Sequence, residues 1–375
     1  MTIDTWTYPG ARWWKFDFHT HTPASHDTPW YKKEDLNLAP REWLLKYMTA
    51  GVDCVAITDH NSGAWVDDLK SAYAQMKAQP PAGFRELILF PGVEISVSGG
   101  FHLLAIFDPD ASTRTITDLL AAVRYQGSDG DSDDVTREGP EKVIEEVLKA
   151  GGIPIPAHAD RPGDTGKGLL ALRDGCGASR LDANTIRGVL DNTRLLAVEW
   201  ENMNRSAPEC VKTVAAQLTR VLGSDCHSFQ GTAVPGSRYT WVKMSHPTLE
   251  GLRLALLDGN GVSIRRSDEG AFDPFKVPAH MITAIEIENA RYMGNGQSAP
   301  LRCSPFFNAI VGGRGTGKST VVHALRLATQ RERELESLGS EPFERFKAFS
   351  KIAQGRDGNG ALRQDTKIRL EWQHE

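Results

Sequence analysis

Five short apolar runs in this chain end directly on histidine or acidic side chains, and that recurrence limits the folds open to it. KFDF runs into His19 and His21, VDCVAIT into Asp59 and His60, ELILFPGV into Glu94, GIPIPA into His158, and RVLGS into Asp225 and His227. Helical stretches separate the runs, so residues 15 to about 245 have the rhythm of a parallel α/β domain. One unit can be followed closely. Pro40 suits a helix start, REWLLKYMTA supplies an apolar face, and Gly51 supplies a left-handed stop before the next strand. Parallel barrels carry their chemistry at the C-terminal ends of the strands, which is where these side chains fall.

A chain of 375 residues is too long for one ordinary core and predicts one large and one small domain. The segment SDEGAFDPFKVPAH mixes Pro and Gly without periodicity, which makes residues 267–280 the expected linker. Domains are therefore expected over 1–266 and 281–375, the second opening on a strand within MITAIEIENARYM. With 40% hydrophobic and 24% charged residues the balance is that of a soluble globular protein. No apolar stretch is long enough to span a bilayer, and MTIDTWTYPGARWW lacks a basic-then-apolar leader, so a cytoplasmic protein with no membrane partner is expected. The cysteines, Cys54, Cys176, Cys210, Cys226 and Cys303, are scattered with no CxxC pair, which fits reduced thiols rather than a disulfide framework or zinc ribbon.

Residues 271–375 carry 15 Lys+Arg against 12 Asp+Glu, leaving 28 against 36 for the rest. An acidic N-terminal part does not suit bulk nucleic-acid binding, but it suits a centre holding several divalent cations. Residues 126–140, QGSDGDSDDVTREGP, begin with an EF-hand spacing at Asp129, Asp131 and Asp133. The required Gly is replaced by Asp134 and the twelfth position is Pro140, so a solvated acidic loop is expected.

His19 and His21, two apart on a strand end, project to the same side and can grip one ion together. A lone HxH says little. The ordered set HTHTPASHD, ITDH, PGVEIS, GGFHLLAI, PAHAD and SDCH says more, since each lies at or beside a strand. Imidazoles and carboxylates without cysteine accept Zn, Mn or Fe, in an open rather than a closed structural site. Cys226 is expected to turn into the barrel wall by strand alternation. Arg161, after HAD, suits either a bidentate phosphate contact or a surface salt bridge. Glu199 and Glu201 in AVEWEN follow another strand and suit either support of the ligands from behind or ordinary structural roles, the latter preferred.

The order of these motifs resembles the PHP (polymerase and histidinol phosphatase) superfamily over roughly residues 15 to 245. The resemblance implies a distorted (β/α)7 barrel and a metal-dependent phosphoesterase holding two or three ions. It implies that His19, His21, Glu94 and Asp225 surround one ion, with Glu94 bridging to a second that is completed by His102 and His158. His60 and His227 would hold a third. The commoner SDG pattern is here Ser25, His26, Asp27, which leaves His26 and Asp27 both open as its further ligand, with Asp27 preferred. Catalytic roles would fall to Glu94, Asp225 and His227.

FFNAIVGGRGTGKSTVVHALRLA contains the full GxxxxGK[ST] pattern, with an apolar run expected as a strand before it and an amphipathic helix after it. Gly312, Gly313, Gly315, Thr316 and Gly317 would let backbone amides cradle the phosphates of ATP. Lys318 would reach the β and γ phosphates, Ser319 would offer its hydroxyl to Mg²⁺, and Thr320 follows in the same turn. This wording resembles the N-terminal half of an ABC- or SMC-class ATPase, and its pairing with the upstream motifs resembles the TrlF-like PHP ATPases. Residues 331–352 have the composition of charged helix, and neither a Walker B run nor an LSGG signature follows in residues 320–375. The expectation is a partial P-loop α/β domain that binds ATP and is completed by downstream sequence or a partner subunit, as in a dimer. The reading from sequence is thus a phosphoesterase acting on nucleic acid or nucleotides beside an ATP-binding module. The alternatives are a small-molecule phosphatase and a structural DNA-bound ATPase with a non-catalytic scaffold.

Overall fold

Apolar runs that are buried on both faces can form only interior strands, and this constraint builds the larger part of the molecule. A computed structural model of the chain describes residues 6–31, 38–161, 167–170, 172–173, 177–178, 181–192, 194–294, 298, 300–354 and 360–374. Cys176 lies outside the described residues. The chain divides into two compact units, one over Arg12–Pro274 and one from the described residues of Met1–Ala11 and Phe275–Glu375.

In the Arg12–Pro274 unit the strands are β1 (Arg12–Asp17), β2 (Cys54–Ile57), β3 (Ile88–Val97), β4 (Phe101–Ile106), β5 (Ile153–Pro156), the short β6 (Leu172–Arg173) and β7 (Gly177–Ala178), β8 (Ala197–Glu199), β9 (Thr219–Val221), β10 (Thr240–Met244) and β11 (Ile264–Arg266). Seven of them hydrogen-bond in the order β11-β10-β1-β2-β3-β4-β5, and β8 pairs with β9 in parallel. Backbone bonds draw the two sheets into a curl. Ala159 N–H donates to the Glu199 carbonyl at 2.8 Å, and Asp225 N–H donates to the His19 carbonyl at 2.8 Å. The result is a barrel-like mixed sheet in which β4 runs antiparallel to both neighbours.

Helices α1 (Pro40–Thr49), α2 (Val66–Ala78), α3 (Thr113–Ala122), α4 (Pro140–Lys149), α5 (Ala183–Leu190), α6 (Lys212–Ala215) and α7 (Leu249–Asp258) complete this unit. Gly51, with φ 72°, stops α1 before β2, as the sequence predicts. One apolar cluster takes Phe16, Phe18, Phe90, Leu104, Ile106 and Ile155 from successive strands. A second joins Trp43, Leu44 and Tyr47 of α1 to Val55, Ile57 and Leu69. Trp43 is fully buried and its indole N–H donates to the His21 carbonyl at 3.0 Å, tying helix packing to the strand end that carries the histidines.

In the other unit, β12 (His280–Glu288) lies between β13 (Leu301–Arg302) and β14 (Lys367–His374) in an antiparallel sheet packed on α8 (Lys318–Ala328) and α9 (Ser340–Ser350). The strand expected before the P-loop is absent. Residues 306–311 are irregular, with Phe307 89% and Val311 86% exposed. The reason is pairing. Both edges of β12 are taken by β13 and β14, and among the described residues no other strand runs beside the segment. Trp6 stacks on Phe306 with centroids 5.8 Å apart.

No helix is long and apolar enough to cross a membrane among the described residues. Trp43→Ala is expected to lower unfolding stability by about 3–5 kcal/mol, because it removes a large buried ring and leaves the His21 carbonyl without its donor. Denaturant unfolding of the two proteins measures it, and a loss below about 1 kcal/mol would contradict the packing described.

Candidate metal centre

The backbone turns sharply after three of the strands. Asn61, His158 and Asp225 have φ of 43°, 31° and 52°, a left-handed region that costs a non-glycine residue about 1–3 kcal/mol and clusters at functional sites. Gly223 lets two strand ends touch, since a Cβ there would lie 2.6 Å from the His19 backbone nitrogen.

The centre forms around the buried Glu94 carboxylate. His19 Nε2 lies 3.1 Å and His21 Nε2 3.5 Å from its Oε2, while His102 Nδ1 at 2.7 Å and His158 Nε2 at 3.1 Å meet Oε1. His60 Nδ1 lies 2.9 Å from Oε2 at an angle unsuited to a hydrogen bond, so both atoms are buried without a hydrogen-bond partner. Asp225 Oδ1 is 3.5 Å from the Nε2 atoms of both His19 and His21. Asp27 Oδ2 lies 3.1 Å from His60 Nε2 and 3.0 Å from His227 Nε2. His26 instead stacks on Tyr31 at 4.0 Å. The structure thus brings together His19, His21, Asp27, His60, Glu94, His102, His158, Asp225 and His227, and leaves His26 outside.

The donor set fits divalent cations. Three overlapping groups, His19/His21/Glu94, His60/Glu94/His102 and His21/His60/His227, each place their ligand atoms within 4.8 Å of one another. Glu94 Oε2 and His60 Nδ1 are buried without a hydrogen bond although 2.9 Å apart, an arrangement buried polar groups rarely keep without an ion or water. A cavity of about 140 Å³ opens over them, lined also by Ser132, Arg161 and Lys167.

Glu199 has more than the ordinary structural role expected of it. Its Oε2 accepts from His19 Nδ1 and from the His158 backbone N–H, both at 2.8 Å. His21 is oriented differently. Its Nδ1 meets Ser25 Oγ at 2.9 Å, and that hydroxyl donates to Asp59 Oδ1 at 2.8 Å. Carboxylates of this kind fix the tautomer of a ligating imidazole, yet nothing in AVEWEN tells its acids apart by sequence. Arg161 grips Glu201 through Nε and Nη2, at 3.1 and 2.8 Å, and also meets Asp225 Oδ2. Cys226 is buried in the wall, its thiol pushed up to about 12 chiefly by burial. The acidic loop is less solvated than expected: Gly130 N–H donates to the His60 carbonyl and Asn61 Nδ2 to the Asp131 carbonyl, although Asp129, Asp133 and Asp134 are exposed.

Burial alone would lower His60, but Glu94 and Asp27 outweigh it and lift the imidazole to about 10. Burial would lower His19 too, and Glu94, Glu199 and Asp225 hold it well above its usual value. His102 moves the other way, to about 4, and His21 falls well below its usual range, in both cases mainly from burial. Burial would raise Glu94 and Asp225, yet the surrounding imidazoles keep both well below the ordinary carboxylate range.

No family model matches the chain, and no curated protein sequence matches it. Solved structures similar to it include the lesion-specific endonuclease PfuEndoQ from Pyrococcus furiosus, at 17% identity over 72% of this chain and 62% of that one, with a TM-score of 0.48. Endonuclease Q in complex with a 27-mer duplex carrying an abasic lesion is similar at 16% identity over 67% of this chain and 58% of that one, TM-score 0.46. A candidate metal-dependent phosphoesterase from Bifidobacterium adolescentis is similar at 20% identity over 59% and 88% of the two chains, TM-score 0.35. The chain thus spans 62% of the length of the first of these.

Two outcomes are expected of the centre. Glu199→Gln should weaken Mn²⁺ or Zn²⁺ binding about 10- to 100-fold while leaving every ligand in place; equilibrium dialysis measures this, and wild-type affinity would remove Glu199 from the site. A protonated imidazole cannot ligate, and His60, raised to about 10, carries its proton at neutral pH. Cation binding should therefore release protons and tighten as pH rises from neutrality towards 10. Calorimetry in buffers of different ionisation heat measures the release, and affinity independent of pH would exclude His60 as a ligand.

Proposed function

We propose that the Arg12–Pro274 unit is a metal-dependent phosphoesterase of the PHP type, acting on nucleic acid or nucleotides. The observation that carries this reading is the buried Glu94 carboxylate, met by His19, His21, His60, His102 and His158, with three of these imidazoles crowded on an oxygen that makes no hydrogen bond. His19, His21, Glu94 and Asp225 would hold one cation, Glu94 with His102 and His158 a second, and His60, His227 and Asp27 a third. Bound divalent cations supply an acidified water and neutralise charge on phosphate oxygens. The chain's own groups do the rest. Glu199 and the Ser25–Asp59 pair hold the two imidazoles of the HxH turn, and the 140 Å³ cavity limits what can approach them. Arg161 holds the Asp225 carboxylate, and no Ser or Cys nucleophile is required, consistent with the unreactive Cys226 thiol.

The test is elemental analysis of chelator-free protein followed by hydrolysis of single-stranded DNA, RNA and nucleotide monophosphates with Mn²⁺ or Zn²⁺. Two or three ions per chain are expected, with hydrolysis falling to background in His19→Ala and in Asp225→Ala. Retained activity in both variants would place the chemistry elsewhere. Turnover of monophosphates alone would favour the small-molecule phosphatase.

We further propose that residues 312–320 bind ATP with Mg²⁺. Gly315 and Gly317 have φ of 84° and 89°, and α8 begins at Lys318. Lys318 Nζ lies 2.7 and 2.6 Å from the Gly312 and Gly313 carbonyls, within the loop that would receive a phosphate. A cavity of about 490 Å³ beside it is lined by Lys318, Ser319, His323 and Arg326. Its one lining carboxylate, Glu341, is engaged by Arg345, so ATP is expected to bind and turn over slowly unless a partner subunit adds an acidic group. Lys318→Ala should weaken nucleotide binding at least about tenfold in a fluorescent-nucleotide titration. Unchanged binding would exclude this segment.

A further inference from the structure

We infer that Lys167 is a ligand for the substrate's phosphate, held in reserve by Asp133 until an anion displaces that carboxylate. The inference rests on the phosphoesterase reading and defines the substrate as an anionic phosphoester that enters between the acidic loop and the turn at His158.

Lys167 lines the same cavity as His102, His158 and Glu94. Its placement is fixed by the metal centre's own backbone. The His102 N–H donates to the Lys167 carbonyl at 2.9 Å and the Leu170 N–H to the Ala159 carbonyl at 2.8 Å. Gly168 fits so tightly that a Cβ there would lie 2.7 Å from the His158 carbonyl and 2.9 Å from that of Arg161. Lys167 itself sits at φ 47°, a strained setting for a lysine that the surrounding bonds impose and that a surface residue would relax.

The two cations at the cavity differ in how firmly they are held. Arg161 is shared between Glu201 and Asp225, whose side chains are 17% and 12% exposed. Lys167 Nζ bonds the Ser132 carbonyl, Ser132 Oγ at 3.2 Å and Asp133 Oδ1 at 2.7 Å, and Asp133 is 88% exposed. Ion pairs to so exposed a carboxylate are weak and salt-sensitive. An ammonium with a displaceable partner suits a transient phosphate contact, whereas Arg161 is committed to Asp225.

Lys167 also serves as a tie for the acidic loop, and the test separates that role from phosphate binding. Lys167→Ala removes every bond of the tie and Asp133→Asn only its charged one, so a purely structural lysine predicts shifts in the same direction, or a shift in Lys167→Ala alone. Phosphate binding predicts opposite shifts. For hydrolysis of bis(p-nitrophenyl) phosphate by the Mn²⁺-loaded chain, Lys167→Ala should raise KM roughly tenfold with little change in kcat. Asp133→Asn should lower KM, and the salt dependence of KM should flatten in Lys167→Ala. Calorimetric titration of the intact chain with inorganic phosphate, with and without Mn²⁺, should order affinities as Asp133→Asn, wild type, Lys167→Ala. Shifts in one direction, or no change in Asp133→Asn, would overturn the inference. Absence of hydrolysis by the wild type would instead refute the phosphoesterase reading, while the phosphate titration still decides the role of Lys167.

Discussion

A carboxylate with no solvent exposure must be compensated by its neighbours, and Glu94 at the middle of β3 is such a group. Five imidazoles supply the compensation, and they come from the ends of β1 and β2, from β4 and from the turn after β5. The curl of the sheet follows from this demand as much as from apolar packing, since an open sheet could not bring those ends to one point. The antiparallel β4 has a place in the same account. The β3–β4 pairing sets His102 opposite Ser96, two residues beyond Glu94, which brings His102 Nδ1 back onto Glu94 Oε1.

His19 and His60 are raised while His21 and His102 are lowered, although all four lie within one cluster. Carboxylates explain the first pair: Glu199 and Asp225 flank His19, and Asp27 flanks His60. His21 has a neutral hydroxyl on its outer nitrogen and faces His227 and His60, so burial dominates. Neutral imidazoles are ready donors, and protonated ones must first be emptied. The imidazoles of one cluster are thus shifted in opposite directions by their outer neighbours.

Much of the fold and of this site was legible in the sequence because interior strands read as unbroken apolar runs and a polar residue directly after one has few places to go. That logic placed His19, His21, His60, His158 and Asp225 just beyond strand ends, whereas Glu94, expected at such an end too, lies inside β3. It failed where position depends on a loop or on a partner. His26 and Asp27 are adjacent in a turn, and only the three-dimensional path sends one to Tyr31 and the other to His60. Glu199 and Glu201 stand two apart at one strand end, yet one faces His19 and the other Arg161. Residues 306–311 have strand composition, but composition records propensity and not the neighbour a strand needs.

The same distinction explains why Arg161 left two readings open. A guanidinium beside a metal-binding turn has the geometry for a phosphate and equally for a carboxylate, and the choice is made by what lies opposite. Here Glu201 is placed there, its backbone N–H fixed by Asp160 Oδ1 at 2.6 Å and its Oε1 also met by Arg238 at 3.2 Å. Arg161 is thereby drawn to the wall and holds Asp225 in the strained turn whose φ is 52°. A fixed cation at that point steadies the Asp225 carboxylate. Arg161 and Lys167, which both line the cavity, are thus divided by the burial of their partners, and neither charge nor spacing in the sequence records that burial.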